Sequence, residues 1–156
     1  RDTDRSRGLG DVYKRQEKRN ELPLCHADGI LHAIDNETIL LSNYIDYDLE
    51  YRSKLLERLS PYFKIKEFHF GEISTEKSWI YINYLQVGSV VLMPTVNEEA
   101  DDIAVKQLKE FLQVDSVIKI DSRELTFDAK DENVGGSLHC ISWNVFDSSI
   151  QKTING

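Results

Sequence analysis

Residues 79–120 read WIYINYLQVGSVVLMPTVNEEADDIAVKQLKEFLQVDSVIKI, and their hydrophobic pattern sets the architecture expected for the whole chain. Two apolar runs lie on either side of Gly88, an amphipathic run follows, and another apolar run ends the stretch. The pattern predicts, in order, strands at Trp79–Leu85 and Ser89–Met93, a helix at Glu98–Leu112 and a strand at Val117–Ile120. Thr95 and Glu98 have the spacing of a capping box before that helix.

The same order of elements stands upstream of this stretch. The predicted elements are strands at Ile30–Ile34 and Thr38–Leu41 joined across Asp35-Asn36, a helix at Asp48–Leu59 that ends before Pro61, and a strand at Ile65–Phe70. A third copy begins with Gly135-Gly136 and the apolar segment Leu138–Val145. We therefore expect a mixed α/β (α+β) fold of about two and a half ββαβ units. One unit cannot bury its own apolar face, so the chain is expected to be a portion of a larger assembly of units.

The first sixteen residues differ from the rest. They hold five basic and three acidic residues and almost nothing apolar, which predicts a disordered arm at residues 1–16. Asp11 to Gln16, DVYKRQ, matches one reading frame of a sequencing-library adapter, so we interpret the arm as an assembly artefact and expect the gene to be cut upstream of about Glu17. Residues 17–156 are then expected to form part of a larger folded domain.

Composition excludes several classes of function. The net charge of −8 argues against a nucleic-acid partner, because phosphate backbones select basic surfaces. The longest apolar run, around Val90 to Met93, is too short to cross a bilayer, so no membrane partner is expected. The two cysteines, Cys25 and Cys140, have no zinc-binding spacing. For either cysteine alone, a buried and inert thiol is the safer interpretation.

Three segments carry polar groups where a core strand would not favour them. His26 and Asp28 are two residues apart, so on an extended chain both point to one side, although the spacing alone favours a surface histidine and aspartate that flank a turn. Asn83 interrupts an apolar run and needs hydrogen-bond partners; a residue that ties down a loop is the simpler interpretation. Cys140 follows the paired glycines Gly135 and Gly136, which favour unusual backbone angles and close approach of a ligand.

His139 is adjacent to Cys140, and neighbours on a strand point to opposite faces. His139 is therefore not expected to be the base for Cys140, and His26 is the better candidate. These residues give a thiol, a distant imidazole and a carboxylate, without specifying a reaction.

Four segments together resemble the agmatine deiminase and Porphyromonas-type peptidyl-arginine deiminase family. GGSLHCISW around Cys140 is similar to the family's active-site cysteine segment, HADG at residues 26–29 to its H-x-D segment, IYINYLQ to its Asn-bearing strand, and IDSREL at residues 120–125 to the stretch before the glycine loop. The order of the four segments also agrees. The family fold is the pentein α/β-propeller, in which ββαβ units surround a central active site. The resemblance therefore implies a partial propeller here, with residues 17–156 as the C-terminal portion of a deiminase catalytic domain.

The resemblance also implies roles for individual residues. Cys140 would be the nucleophile that attacks a guanidinium carbon, His26 the general acid and base, and Asp28 the carboxylate that holds the guanidinium. Asn83, Gly135 and Gly136 would lie near the substrate. Neither a metal nor an organic cofactor is implied. The expected partner is a small guanidino compound, with agmatine as first choice and peptidyl-arginine as the alternative, in a cytoplasmic enzyme of unspecified oligomeric state.

The sequence departs from the family pattern in two ways. The family usually has glycine before the histidine, where this chain has Cys25, which leaves the approach of the backbone to substrate open at that point. The family's early units supply another carboxylate and an aromatic wall, and nothing upstream of Pro23 provides them, so we expect this chain by itself to have little or no deiminase activity. A protein of another class, a pentein that binds a cationic ligand without chemistry or a structural remnant, stays open.

Overall fold

A computed structural model describes residues 27–74, 77–96, 99–126 and 136–142. The predicted adapter-derived arm, His26 and Gly135 lie outside these residues. Within them, ten helices and strands follow one another, together with short 3-10 turns. They are β1 (Leu31–Ala33), β2 (Thr38–Leu41), α1 (Tyr44–Tyr47), α2 (Leu49–Leu59), β3 (Lys64–Glu67), β4 (Leu85–Val87), β5 (Val90–Thr95), α3 (Ala100–Leu112), β6 (Ser116–Asp121) and α4 (Arg123–Thr126).

The described chain contains two copies of one topology. In each copy the first strand pairs antiparallel with the second, and the second pairs parallel with the third after a helical crossover. The two three-stranded sheets are β1-β2-β3 and β4-β5-β6. This confirms the mixed α/β class and the repeated strand–strand–helix–strand order. Gly88, at φ +60°, lies in the tight turn that joins β4 to β5, where its lack of a side chain permits the left-handed backbone.

The helix α2 begins and ends close to the predicted residues. Asp48 precedes it, and the Asp48 carboxylate accepts the N–H of Tyr51 at 2.8 Å, which satisfies one of the free donors of the first turn. The predicted capping box before α3 is wrong, because that helix begins at Ala100 and the Thr95 hydroxyl instead donates to the Ile120 carbonyl within the sheet. The Asp101 carboxylate accepts a hydrogen bond from the Val96 N–H at 3.4 Å.

The predicted strand at Trp79–Leu85 is also wrong over most of its length. Ser78–Ile82 forms a 3-10 helix, and strand pairing starts only at Leu85. All five residues of that 3-10 helix are buried. A short run that is buried on every side has no alternation of polar and apolar residues, so its sequence does not distinguish a strand from a helical turn.

The Ser78–Ile82 helix lies at the centre of the hydrophobic core. The aromatic ring of Tyr81 is 5.2 Å from that of Phe70, which in turn stacks on Phe68 in the segment after β3. The core also takes in buried side chains from both sheets and from α3: Leu40, Val91, Met93, Ala104 and Leu108. The connection between the two units is therefore part of the core and holds the units together.

A buried carboxylate fixes the segment after β3. The side chain of Asp46, only 1% exposed, accepts the backbone N–H of Phe70 at 2.9 Å and of Gly71 at 3.1 Å, and it contacts the ring nitrogen of His69. Burial of a carboxylate is tolerated when its oxygens are paired in this way. Gln107 of α3 bonds to both backbone groups of His69, so α3 is joined to the same segment.

Candidate functional site

Three short segments converge on one point, and two of them occupy equivalent places in the two described units. Asp28 lies in the 3-10 turn Ala27–Gly29 just before β1, and Asn83 ends the 3-10 helix just before β4. Cys140 lies in a turn at the start of the third apolar segment. Each of the two described units therefore contributes one polar residue from the short segment that leads into its first strand, and the turn that holds Cys140 contributes a third.

The side chains of Asp28, Asn83 and Cys140 are in direct contact. Cys140 Sγ lies 3.1 Å from Asp28 Oδ2 and 3.3 Å from Asn83 Nδ2. Asn83 Nδ2 also lies 3.3 Å from the Asp28 backbone carbonyl. A thiol from residue 140 and a carboxylate from residue 28 thus share one hydrogen-bond network, although more than a hundred residues separate them in sequence.

Asn83 is fully buried and uses its whole amide. Its Oδ1 accepts the backbone N–H of His139 at 2.9 Å and of Cys140 at 3.3 Å, while its Nδ2 is directed to the Asp28 carbonyl and the thiol. The Asn83 backbone carbonyl also accepts from the His139 N–H, at 3.2 Å. Asn83 therefore ties down a loop, as the simpler interpretation of the sequence has it, and that loop carries Cys140.

The backbone around Cys140 differs from the prediction. Residues 138–141 form a turn, so the part of the predicted strand Leu138–Val145 that the structure describes is not extended. His139 and Cys140 consequently do not point to opposite faces. His139 Nδ1 lies 3.4 Å from Asp28 Oδ2, the same oxygen that contacts the thiol. The strand-based reason for setting His139 aside is therefore wrong.

Two further sequence-based expectations concern the segment before β1 and the paired glycines before Cys140. Asp28 is in a 3-10 turn, so the argument that an extended chain points residues 26 and 28 to one side does not hold there. His26 and Gly135 fall outside the described residues, and the placement of His26 relative to the thiol stays a prediction. Gly136 has no positive φ, and a Cβ on it would meet only Cys140 Cβ at 4.0 Å, an ordinary contact.

The environment of Asp28 and Cys140 favours an ionised carboxylate on Asp28 beside a protonated thiol on Cys140. Burial of Asp28 opposes its ionisation, but hydrogen bonds from Cys140, His139 and Asn83 outweigh it, so the pKa of Asp28 is lowered. Burial raises the pKa of the Cys140 thiol, and the contact with Asp28 raises it further against the opposing bonds from Ser137 and Asn83. The thiol is then the donor and the carboxylate the acceptor.

Sequence reasoning missed a second histidine beside this network. His32 of β1 stacks on Tyr84, with ring centroids 4.2 Å apart, and meets the ring of His139 edge-on at 5.2 Å. Burial lowers the pKa of His32 to about 4, and the neighbouring His139 lowers it as well. The available signal was the same one that identified Asn83, a polar residue within the apolar run GILHAI.

His32 leads to a prediction about stability. Its folded pKa of about 4 lies below the ordinary 6.5, so its stabilising contribution is complete above pH 6.5 and is lost as the pH falls toward 4. Between pH 7.5 and pH 5 the native chain should lose about 2 kcal/mol more than a His32→Phe variant. Urea unfolding of both chains at the two pH values measures the difference. Equal losses in the two chains would contradict a neutral, partly buried imidazole.

Among the described residues, no helix is long and apolar enough to span a membrane, and no group of histidine, cysteine and acidic side chains is arranged to hold a metal ion.

Comparison with known proteins identifies a family that this chain matches and solved structures that it resembles. The family model for the Porphyromonas-type peptidyl-arginine deiminases matches residues 18–145. The chain resembles the solved agmatine deiminase of C. jejuni, with a TM-score of 0.57 and 22% identity over 76% of this chain and 38% of that one. It also resembles the agmatine deiminase of Enterococcus faecalis, with a TM-score of 0.55 and 15% identity over 74% of this chain and 39% of that one.

At these identities the solved structures bear on the fold alone. The chain spans about two fifths of the length of either enzyme. No curated protein matches it.

Proposed function

The chain belongs to the Porphyromonas-type peptidyl-arginine deiminase family, and on that premise we propose that its protein hydrolyses the C–N bond of a guanidino compound with Cys140 as nucleophile. The observation that carries the proposal is the contact between Cys140 Sγ and Asp28 Oδ2 at 3.1 Å. A planar guanidinium held by that carboxylate has its carbon next to the thiol sulfur. The two described ββαβ units are then proposed to be consecutive parts of a pentein propeller.

The proposed reaction has two halves. Cys140 sulfur attacks the guanidinium carbon to form a tetrahedral adduct, which expels one nitrogen as ammonia and leaves a covalent amidino-thioether. Water then attacks the same carbon, the C–S bond breaks, and a ureido product is released with the thiol restored. We assign His26 as the general acid that protonates the leaving amine and the general base that takes a proton from water.

Asp28 has two effects in this scheme. Its carboxylate holds the cationic substrate by charge-assisted hydrogen bonds, and in the absence of substrate it keeps the thiol protonated. A bound guanidinium offsets the negative charge of Asp28 and so lowers the pKa of Cys140. The nucleophile is then activated mainly when substrate is present. Asn83 supports the same step, because its N–H donates to sulfur and favours the thiolate.

Agmatine is the proposed substrate, with N-carbamoylputrescine and ammonia as products; peptidyl-arginine is the alternative. Both present the same guanidinium to Asp28 and Cys140. They differ in what surrounds the rest of the molecule, an amine-terminated chain in one case and a peptide in the other. Protection experiments with agmatine and with an N-acyl-arginine amide separate the two.

The proposal is tested by comparing a cationic with a neutral alkylating agent. 2-Chloroacetamidine should label Cys140 at least tenfold faster than 2-chloroacetamide does, relative to the same ratio for free N-acetylcysteine, because only the amidinium pairs with Asp28. Peptide mass spectrometry separates the label at Cys140 from that at Cys25. Agmatine should slow the labelling at Cys140 and leave that of N-acetylcysteine unchanged.

The control for this experiment is the Cys140→Ser variant, in which labelling at Cys25 should continue at the native rate. An amidine-to-amide ratio at Cys140 no higher than that of N-acetylcysteine would overturn the proposal. It would favour the other class of protein, one without a guanidino-directed nucleophile.

A further inference from the structure

His32 is a partly buried titratable side chain that the proposed reaction does not use. It lies in β1, four residues after Asp28. Its ring is hydrogen-bonded to the Ile82 backbone and stacks on Tyr84, the two residues on either side of Asn83. Its other contact is the edge of the His139 ring, next to Cys140. The imidazole of His32 therefore contacts the segments of Asn83 and Cys140, and its strand directly follows the segment of Asp28.

The chemistry of His32 suits a fixed support. With its pKa lowered to about 4, the ring is neutral under ordinary conditions, so it places no positive charge against His139. A hydrogen bond to the Ile82 carbonyl sets which ring nitrogen carries the proton and fixes the ring plane. Stacking on the fully buried Tyr84 ring prevents the imidazole from moving inward. The ring of His139 therefore packs against an imidazole whose position is fixed by both the hydrogen bond to Ile82 and the stacking on Tyr84.

The side chain of His139 is the link from His32 to the reacting group. Its Nδ1 lies 3.4 Å from Asp28 Oδ2, and that oxygen lies 3.1 Å from Cys140 Sγ. The His139 side chain is 39% exposed, so solvent alone would not restrain it. We propose that His32 is a positioning residue, which holds His139 and through it orients the Asp28 carboxylate toward the Cys140 thiol. The inference rests on the proposed function only in giving that thiol a catalytic role.

The inference is tested by the pH dependence of thiol alkylation with neutral iodoacetamide, read separately at Cys140 and Cys25 by peptide mass spectrometry. The described titratable groups that face the thiol are Asp28 and His139, with His32 behind them. In His32→Ala, the carboxylate loses its fixed place, so the alkylation midpoint of Cys140 should fall by about half a unit. In Tyr84→Phe, which removes a hydroxyl that has no hydrogen-bond partner among the described residues, the midpoint should stay where it is.

A double variant distinguishes positioning from simple packing. If His32 acts through Asp28, the shift caused by His32→Ala should be absent in an Asp28→Asn background. His32→Leu fills most of the ring's volume and is expected to give the same result if the alanine variant fails to fold, as judged by circular dichroism and thermal unfolding. An unchanged Cys140 midpoint in a folded variant, or a shift of equal size without the Asp28 carboxylate, overturns the inference.

The outcome is separable from that of the proposed function. The coupling between His32 and Asp28 is read with a neutral reagent and needs no guanidino substrate. The proposed function fails if the amidine preference at Cys140 is missing, whereas the positioning inference fails if the two substitutions act independently.

Discussion

Replacing Asn83 with alanine should lower the free energy of unfolding by about 3 kcal/mol and detach the loop that carries Cys140. The amide of Asn83 is buried and accepts two backbone N–H groups of that loop, from His139 and Cys140. Without the Asn83 amide, these two donors and the Asp28 carbonyl are buried with no hydrogen-bond partner in its place. The substitution also leaves a cavity beneath the loop. Urea unfolding followed by tryptophan fluorescence measures the loss.

The same substitution should change the reactivity of Cys140. Once the loop is detached, the thiol no longer contacts Asp28, so its alkylation midpoint should move down toward the ordinary value for cysteine, and the preference for a cationic reagent should disappear. Asn36→Ala is the matched control, because Asn36 is exposed in the turn between β1 and β2. That variant should stay within about 0.5 kcal/mol of the native chain. A folded Asn83→Ala chain with native Cys140 reactivity would refute the assignment of Asn83 as the anchor of the loop.

The repeat could be predicted from sequence because its strands and long helices carry periodic patterns. The pair β1 and β2, the helix α2 and the strands β5 and β6 appear close to where the pattern placed them. Apart from the capping box before α3, the errors fall on three short segments, Ala27–Gly29, Ser78–Ile82 and residues 138–141. These are turns and 3-10 helices whose conformation follows from burial and from bonds to distant residues, so local periodicity carries no signal for them.

The same distinction applies to the site. The order of four motifs was enough to propose that Asp28, Asn83 and Cys140 belong together. In the structure, Cys140 Sγ lies 3.1 Å from Asp28 Oδ2, and Asn83 Nδ2 lies 3.3 Å from both Cys140 Sγ and the Asp28 carbonyl oxygen. The sequence did not predict that His32 and His139 pack against each other beside these three residues. Their contacts depend on ring orientations across three segments, and an adjacent-residue rule for strands pointed the wrong way for His139 because residue 139 is in a turn.

Replacing Asp28 with asparagine should make Cys140 more reactive toward a neutral reagent and less selective for a cationic one. The carboxylate lies 3.1 Å from the sulfur and raises the pKa of the thiol. Without its charge the alkylation midpoint should fall by about one unit. Because a thiolate of lower pKa is also a weaker nucleophile, the rate with iodoacetamide at pH 7.5 should rise only about three- to fourfold. Stopped-time labelling from pH 6 to pH 11 gives both quantities.

The same substitution also imitates the neutralising effect of a bound guanidinium, and this makes it a test of how the thiol is activated. Asp102→Asn is the matched control, since it removes one negative charge from an exposed position on α3 that pairs with Lys119 instead of the thiol. That variant should keep both the native midpoint and the amidine preference. If Asp28→Asn and Asp102→Asn shift the midpoint equally, the effect comes from net charge alone. In that case direct contact between carboxylate and thiol would not control the nucleophile.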